Sequence, residues 1–262
     1  MEKRNDGRAK RLLWPVAAAL ALGAKLLLKA KFLLIPILKF GGILLKTGGT
    51  MFLSLAFYAM SFGLAFAIGF VLLLFVHECG HLVMARRLGL RAGWPVFIPF
   101  MGAFIALKDA PRNAWIEALV GIGGPLAGSA GAALCELLYL ATGEPFFAAL
   151  AYTGFLLNLF NLAPVGFLDG GRIATAISPW LWVVGVAVLG ALLIVHFNLI
   201  VLLVLVSALP RLRSLFRART DEERRYFELP RRLRVAMAVA YFGLLALLAV
   251  GMKIAHLQSG AA

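Results

Sequence analysis

The chain has 262 residues, of which 62% are hydrophobic and only 15% are charged, and its formal net charge is +14. Soluble domains contain about 45–50% apolar and about 25% charged residues, so this composition excludes a soluble globular, disordered or coiled-coil protein and indicates a polytopic membrane protein. Cys79 and Cys135 are its two cysteines, and both lie in apolar runs. No disulfide framework is therefore expected.

The positive charge is concentrated beside apolar segments. Ten of the 26 Lys and Arg residues fall in residues 1–46, and nine fall in residues 211–234. The positive-inside rule predicts this distribution for cytoplasmic segments, and such segments also attract anionic lipid headgroups. No folded module with interleaved basic and aromatic residues accompanies the charge, so nucleic acid is not an expected partner.

The distribution of charge and hydropathy predicts four parts along the chain. Residues 1–46 form a basic, Lys-rich segment on the cytoplasmic or interfacial side of the membrane. The alternative, a signal peptide over residues 12–24, conflicts with the lysines that follow directly and resist translocation. A membrane-embedded core covers residues 47–209, and a basic cytoplasmic loop covers residues 210–234. Residues 235–262 form a last transmembrane helix and a tail.

The apolar stretches predict six to seven spans, since one span needs about 20 apolar residues. Turn signals at 61–63 and 142–145 separate neighbouring spans. The stretch 180–209 is either one long span or a tight hairpin broken at 196–198, and the hairpin keeps the basic segment 211–234 on the cytoplasmic side. The predicted spans cover about 42–60, 64–88, 113–140, 146–163, 180–209 and 235–256.

An apolar segment between the second and third spans, at about 91–108, is interrupted by Pro95, Pro99 and Gly102. It is therefore not a spanning helix, and the β-rich residues on both sides of residue 102 predict a re-entrant, membrane-associated β-hairpin. An interfacial loop is the alternative. An exposed strand edge at this place could hold an unwound peptide by strand addition.

The second span carries a metal-binding pattern, His77-Glu78-Cys79-Gly80-His81. Residues four apart share one face of a helix, so both imidazoles can face one ion. Glu78 is placed to accept a proton from a water held by that ion. Two imidazoles and a carboxylate in hydrocarbon each need a partner, and a metal provides one for all three.

A third ligand is expected from another span, and Asp169 is the leading candidate. It follows Pro164, which breaks the fourth span, and precedes Gly170 and Gly171, which permit unusual backbone angles. A broken helix at membrane depth is tolerated where it lines a cavity or contacts protein. The alternative role for Asp169 is an N-cap for a helix that begins near Gly171.

These motifs, in this order and separation, resemble the site-2 protease family of intramembrane zinc metalloproteases. The resemblance covers residues 64–177 and implies His77, His81 and Asp169 as zinc ligands, Glu78 as general base, and Asn161 beside the substrate. The sequence over 123–127 is similar to the family's Gly-Pro motif, but Gly128 or Ser129 stands where the family often has Asn. The family also has a membrane-embedded β element at the position of the hairpin.

The expected protein is therefore an all-α polytopic membrane protein with a re-entrant β-hairpin, and a zinc metalloendopeptidase that binds one zinc ion per chain. Its substrates would be membrane-embedded or membrane-adjacent proteins or peptides. We expect an integral protein of the bacterial inner membrane, with the active site toward the cytoplasm. A metal-binding transporter and a non-catalytic membrane scaffold are the alternatives, and the sequence gives no oligomeric state.

Overall fold

The computed structural model describes residues 47–99, 102–218 and 220–259. The predicted basic segment 1–46 lies outside the described residues. From residue 50 onward the described residues form one compact unit. In chain order the elements are α1 (Gly49–Phe62), α2 (Leu64–Arg87), β1 (Val96–Ile98), β2 (Gly102–Phe104), α3 (Ala114–Thr142), α4 (Pro145–Asn161), α5 (Asp169–Ile177), α6 (Leu181–Val195), α7 (Leu199–Leu215), α8 (Asp221–Phe227) and α9 (Arg231–Ser259).

The predicted fold class is confirmed as a mostly helical chain with one small sheet. Among the described helices, α2, α3 and α9 are long and apolar enough to cross a membrane, and α1, α4 and α6 are apolar but shorter. Three candidate spans are therefore shown, and the total of six to seven stays a prediction.

Glycines in the left-handed region of φ break the chain where turns were predicted. Gly63, with φ 83°, separates α1 from α2, and Gly143, with φ 71°, ends α3. A residue with a β-carbon is strained at such angles, so glycine is favoured at both places.

The stretch 180–209 forms two helices, α6 and α7, separated by residues 196–198. The break that the hairpin alternative predicts is therefore present, and the two helices pack against each other. Asn198 caps α7 by accepting a hydrogen bond from the backbone N–H of Ile200 at 2.9 Å, which explains where the second helix begins. The last helix begins at Arg231, four residues before the predicted span, because arginines at a membrane surface do not prevent helix formation.

The predicted β-hairpin is present as an antiparallel pair in which Phe97 lies opposite Ala103. Phe97 is buried and contacts a cluster on α1 and α2 that includes Tyr58 and Val71. At the base of the hairpin, Arg91 pairs with Asp109 at 2.6 Å, and its hydrogen bonds lower the pKa of Asp109 to about 2. The segment is thus attached through the middle of β1 and at its base.

The core that positions the site is formed by α2, α3, α4 and α5, with α9 packed against α4. A β-carbon at Gly80 of α2 would lie 2.2 Å from the carbonyl oxygen of Gly123 on α3. The two backbones can approach this closely only because both residues are glycine, which is typical of helix packing in membranes.

Candidate metal centre

The helix α2 brings His77, Glu78 and His81 to one buried place. All three side chains are at most 5% exposed, and their ligand atoms lie within 4.8 Å of one another. The helical spacing explains the arrangement, since the fourth residue along returns to the same face. These three residues alone form a group that could hold a metal ion.

Asp169 reaches the same place from the other side. Its Oδ2 lies 3.1 Å from Nε2 of His77 and 3.1 Å from Nε2 of His81, and the two Nε2 atoms are 3.2 Å apart. The loop over 162–168 delivers it, and α5 begins at Asp169 itself, with Leu168 in the N-cap position. The alternative role of Asp169 as an N-cap is therefore wrong.

The second nitrogen of each imidazole determines where the ring proton sits. Nδ1 of His77 lies 2.8 Å from Oδ1 of Asn158, and Nδ1 of His81 lies 2.7 Å from the carbonyl oxygen of Val120. The amide nitrogen of Asn158 is used separately, because it donates to the Gly154 carbonyl at 2.7 Å. The Val120 carbonyl is nearer to Nδ1 of His81 than the backbone N–H of Gly124, which lies at 3.3 Å. The short contacts to oxygen therefore assign the proton to Nδ1 in both rings, which leaves a lone pair on each Nε2.

When both rings are neutral, the two Nε2 atoms and Oδ2 of Asp169 therefore face one another with lone pairs and with no proton between them. Two Nε2 atoms and a carboxylate oxygen repel one another in a buried site unless a cation lies among them. An ion bound at about 2.0–2.2 Å in tetrahedral geometry holds its ligand atoms about 3.3–3.5 Å apart. The observed 3.1–3.2 Å separations differ from this by a few tenths of an ångström, so the residues fit such an ion.

A cavity of about 70 Å³ opens beside these groups, which is room for a few water molecules. Glu78 and Asn161 line it, and so do Phe104 at the end of β2 and Arg172. Asn161 therefore shares a cavity with His77, Glu78, His81 and Asp169, and its contact with a substrate stays a prediction. Arg172, three residues after Asp169, brings a positive charge to the same lining.

Asn158 is a site residue that the sequence analysis missed. It is 1% exposed and is the acceptor that orients His77. A signal was available, because Asn158 lies one helical turn before Asn161 in an otherwise apolar helix, and an amide in such a helix needs a partner. In metal sites, a histidine that binds the ion commonly donates its other ring N–H to an oxygen of a neighbouring residue.

Two glycines of α3 make room for these polar side chains. A β-carbon at Gly124 would lie 2.1 Å from Nε2 of His81, and one at Gly128 would lie 2.2 Å from Oδ1 of Asn158. Gly128 thus leaves the space that the side chain of Asn158 from α4 occupies.

Other ionisable residues within the apolar stretches lie away from the centre. Glu117 forms an interhelix ion pair with Arg211, and His196 lies exposed in the break between α6 and α7. Among the described residues, neither carboxylate oxygen of Glu136 has a hydrogen-bond partner. None of the three lines the cavity.

Residues 65–144 match the model of peptidase family M50, which is the family of the site-2 proteases. The matched region contains α2, the β-hairpin and α3, and so includes the His77–His81 motif but not Asp169. No curated protein matches the chain. The family match confirms the resemblance over residues 65–144 and, with the apolar helices, supports an integral membrane metalloprotease.

Proposed function

We propose that this chain is an intramembrane zinc metalloendopeptidase that hydrolyses peptide bonds of membrane-embedded or membrane-adjacent proteins. The observation that carries the proposal is the convergence of three lone-pair atoms, from His77, His81 and Asp169, at 3.1–3.2 Å. The match to peptidase family M50 over residues 65–144 supports it independently.

His77, His81 and Asp169 are the proposed ligands of one zinc ion per chain. Zinc suits two imidazoles and one carboxylate, a set that leaves one coordination position for chemistry. When bound, it supplies a Lewis acid that polarises the scissile carbonyl and makes a water ionise near neutral pH. The carboxylate of Asp169 offsets part of the ion's charge in this buried place.

Glu78 is the proposed general base. Its carboxylate is buried, lies next to the imidazoles and lines the cavity. It would accept the proton of the attacking water and transfer it to the nitrogen of the scissile peptide bond. The leaving group then departs as a neutral amine and not as an amide anion. Asn161, which lines the same cavity, is the proposed contact for the substrate backbone.

The β-hairpin is the proposed support for the substrate. A helical substrate has its carbonyls bonded within the helix, so it must be unwound before hydrolysis. The strand β2 ends at Phe104, which lines the cavity together with Ile105. A peptide added along this strand edge would pass directly beside Glu78.

The site is proposed to face the cytoplasmic side of a bacterial inner membrane. His81 precedes Arg86 by five residues, and Arg86 and Arg87 form the basic last turn of α2. Five residues of helix span about 7.5 Å, so the metal would lie inside the membrane but near that boundary. The basic segments would then contact anionic lipid headgroups.

Glu78→Gln is the decisive test. Purified protein in proteoliposomes should lose cleavage of single-span model substrates by about 10²–10⁴-fold, because proton transfer is removed, and its zinc content by mass spectrometry should be unchanged. Asp169→Ala should lower zinc content. Cys79→Ala is the control, since Cys79 lines a different surface of α2 together with Val76 and Val83.

Cleavage retained in Glu78→Gln would reject the assigned base. Unchanged zinc content in Asp169→Ala would reject that ligand. Zinc flux across the proteoliposomes in the absence of any proteolysis would replace the proposal by the transporter alternative.

A further inference from the structure

The backbone carbonyl of Gly171 is bonded by two side chains from other elements. Nε1 of Trp182 on α6 donates to it at 2.9 Å, and Nη1 of Arg211 on α7 donates to it at 2.9 Å. Gly171 lies two residues after Asp169, in the first turn of α5. The turn that presents the proposed ligand is therefore tied to both helices of the α6–α7 hairpin.

Arg211 is itself held on several sides. Its guanidinium carbon lies 5.2 Å from the centre of the Trp182 ring, and Nη2 donates to Oε1 of Glu117 at 2.9 Å. Glu117 also accepts a hydrogen bond from the hydroxyl of Tyr226 on α8 at 2.8 Å. The planar guanidinium of Arg211 thus donates to two acceptors at once and stacks on an aromatic ring. The ammonium group of a lysine cannot make both kinds of contact.

The same network reaches the other side of the metal centre. Glu117 lies in the first turn of α3, and the carbonyl of Val120, three residues later, accepts the Nδ1 proton of His81. Gly121 is also in close contact with α5, since a β-carbon there would lie 3.3 Å from the carbonyl oxygen of Asp169. The start of α3 therefore orients one ligand and anchors the element that carries another.

We propose that Arg211 and Trp182 are positioning residues that hold the first turn of α5, so that Asp169 stays beside the two imidazoles. The proposal rests on the proposed function only in taking Asp169 as a metal ligand. Neither residue lines the catalytic cavity, so both act through the Gly171 carbonyl. Partners of this kind change metal affinity or activity by about 10–100-fold when removed.

The chain offers a matched control for each substitution. Trp182→Phe removes the N–H donor and keeps an aromatic ring, and Trp180→Phe makes the same change at a side chain that is 60% exposed. Arg211→Gln removes the guanidinium group, and Arg213→Gln makes the same change at an exposed position of α7. Each pair differs in whether the side chain reaches Gly171.

The experiment measures two quantities on the purified full chain. Release of zinc to a chromogenic chelator should be about 10–100-fold faster in Trp182→Phe and Arg211→Gln. Amide hydrogen exchange over residues 169–175 of the metal-free protein should also be about tenfold faster or more, as local opening becomes easier. Trp180→Phe and Arg213→Gln should match the wild type in both quantities.

Zinc release and exchange in Trp182→Phe that match those in Trp180→Phe would overturn the proposal, as would faster exchange with unchanged zinc release. If Arg211→Gln fails to fold, zinc release and amide exchange in Trp182→Phe alone test the proposal. A wild-type chain that binds no zinc contradicts the proposed function instead, and the exchange measurement then still decides whether the two side chains order this turn.

Discussion

The metal centre and the α6–α7 hairpin differ in how strongly neighbouring residues constrain their side chains. In the centre, each histidine is bonded through Nδ1 to an oxygen of a neighbouring helix, and glycines are needed where the side chains of His81 and Asn158 approach. In the hairpin, large apolar side chains are exposed, as at Ile194 (89%) and Val195 (70%), and a β-carbon at Gly190 would meet no atom within 4 Å.

The difference follows from the solvent. Lipid is as apolar as leucine, so apolar side chains gain little by leaving it for a neighbouring helix. A hairpin of apolar residues is therefore tolerant of substitution over most of its surface. Polar groups in the same environment must find their partners within the protein, and this requirement determines the geometry of the centre residue by residue.

The largest effect is expected from adding one methyl group to the centre. In Gly124→Ala the new β-carbon would lie 2.1 Å from Nε2 of His81, so the ring must leave its place between His77 and Asp169. We expect zinc affinity to fall by about 100-fold or more, the upper end of what loss of orientation costs at a metal site. Zinc titration of the purified protein measures it.

Gly190→Ala is the matched control in the hairpin, where the same methyl group points into open space. It should leave zinc affinity unchanged and favour helix formation slightly. Equal zinc affinity in the two variants would contradict the contrast drawn between the regions and would show that the His81 ring is free to move.

A smaller effect is expected from Asn158→Ala. This change removes the acceptor for the Nδ1 proton of His77 but leaves all three proposed ligands in place. Zinc affinity and cleavage should each fall by about 10–100-fold, because the ring loses its fixed tautomer and orientation. Zinc titration and single-turnover cleavage measure the two losses.

Asn198→Ala is its counterpart in the hairpin. Asn198 only caps α7 through its bond to Ile200, so its loss should lower stability by about 1 kcal/mol and leave zinc affinity unaltered. A loss of zinc in Asn198→Ala as large as in Asn158→Ala would mean that the centre responds to any disturbance of the helices.

The sequence predicted the parts of the site that follow from helical periodicity. The spacing of His77 and His81 places both on one face of α2, and the turn signals and charge distribution located the helix breaks at Gly63 and at 196–198. The hairpin alternative followed from keeping the arginines of 211–234 on one side of the membrane.

The sequence did not predict the contacts between separate helices. Asn158 appeared only as a polar residue in an apolar helix, and nothing local indicates that it faces His77, which is 81 positions away. The same holds for Gly171, whose carbonyl is bonded by Trp182 and Arg211. Such partners depend on how helices rotate and approach, and hydropathy does not encode this.

The smallest effect on the centre is expected from Leu189→Ala, at the one face of α6 that contacts the loop before Asp169. Leu189 is 6% exposed and packs with Val165 and Leu168 of that loop and with Val204 of α7. Removing its side chain leaves a cavity, and we expect a loss near the lower end of the range for such substitutions, about 2 kcal/mol of unfolding free energy.

Leu192→Ala makes the same change about one turn further along α6, where the side chain is 52% exposed, and should cost almost nothing because lipid replaces the lost contacts. Unfolding in mixed micelles measures the stability of both variants, and chelator competition measures their zinc release. Because Trp182 and Arg211 hold the Asp169 turn independently of Leu189, zinc release in Leu189→Ala should rise only a few-fold. A rise larger than in Trp182→Phe would show that the apolar face of the hairpin, more than the polar contacts, keeps Asp169 in place.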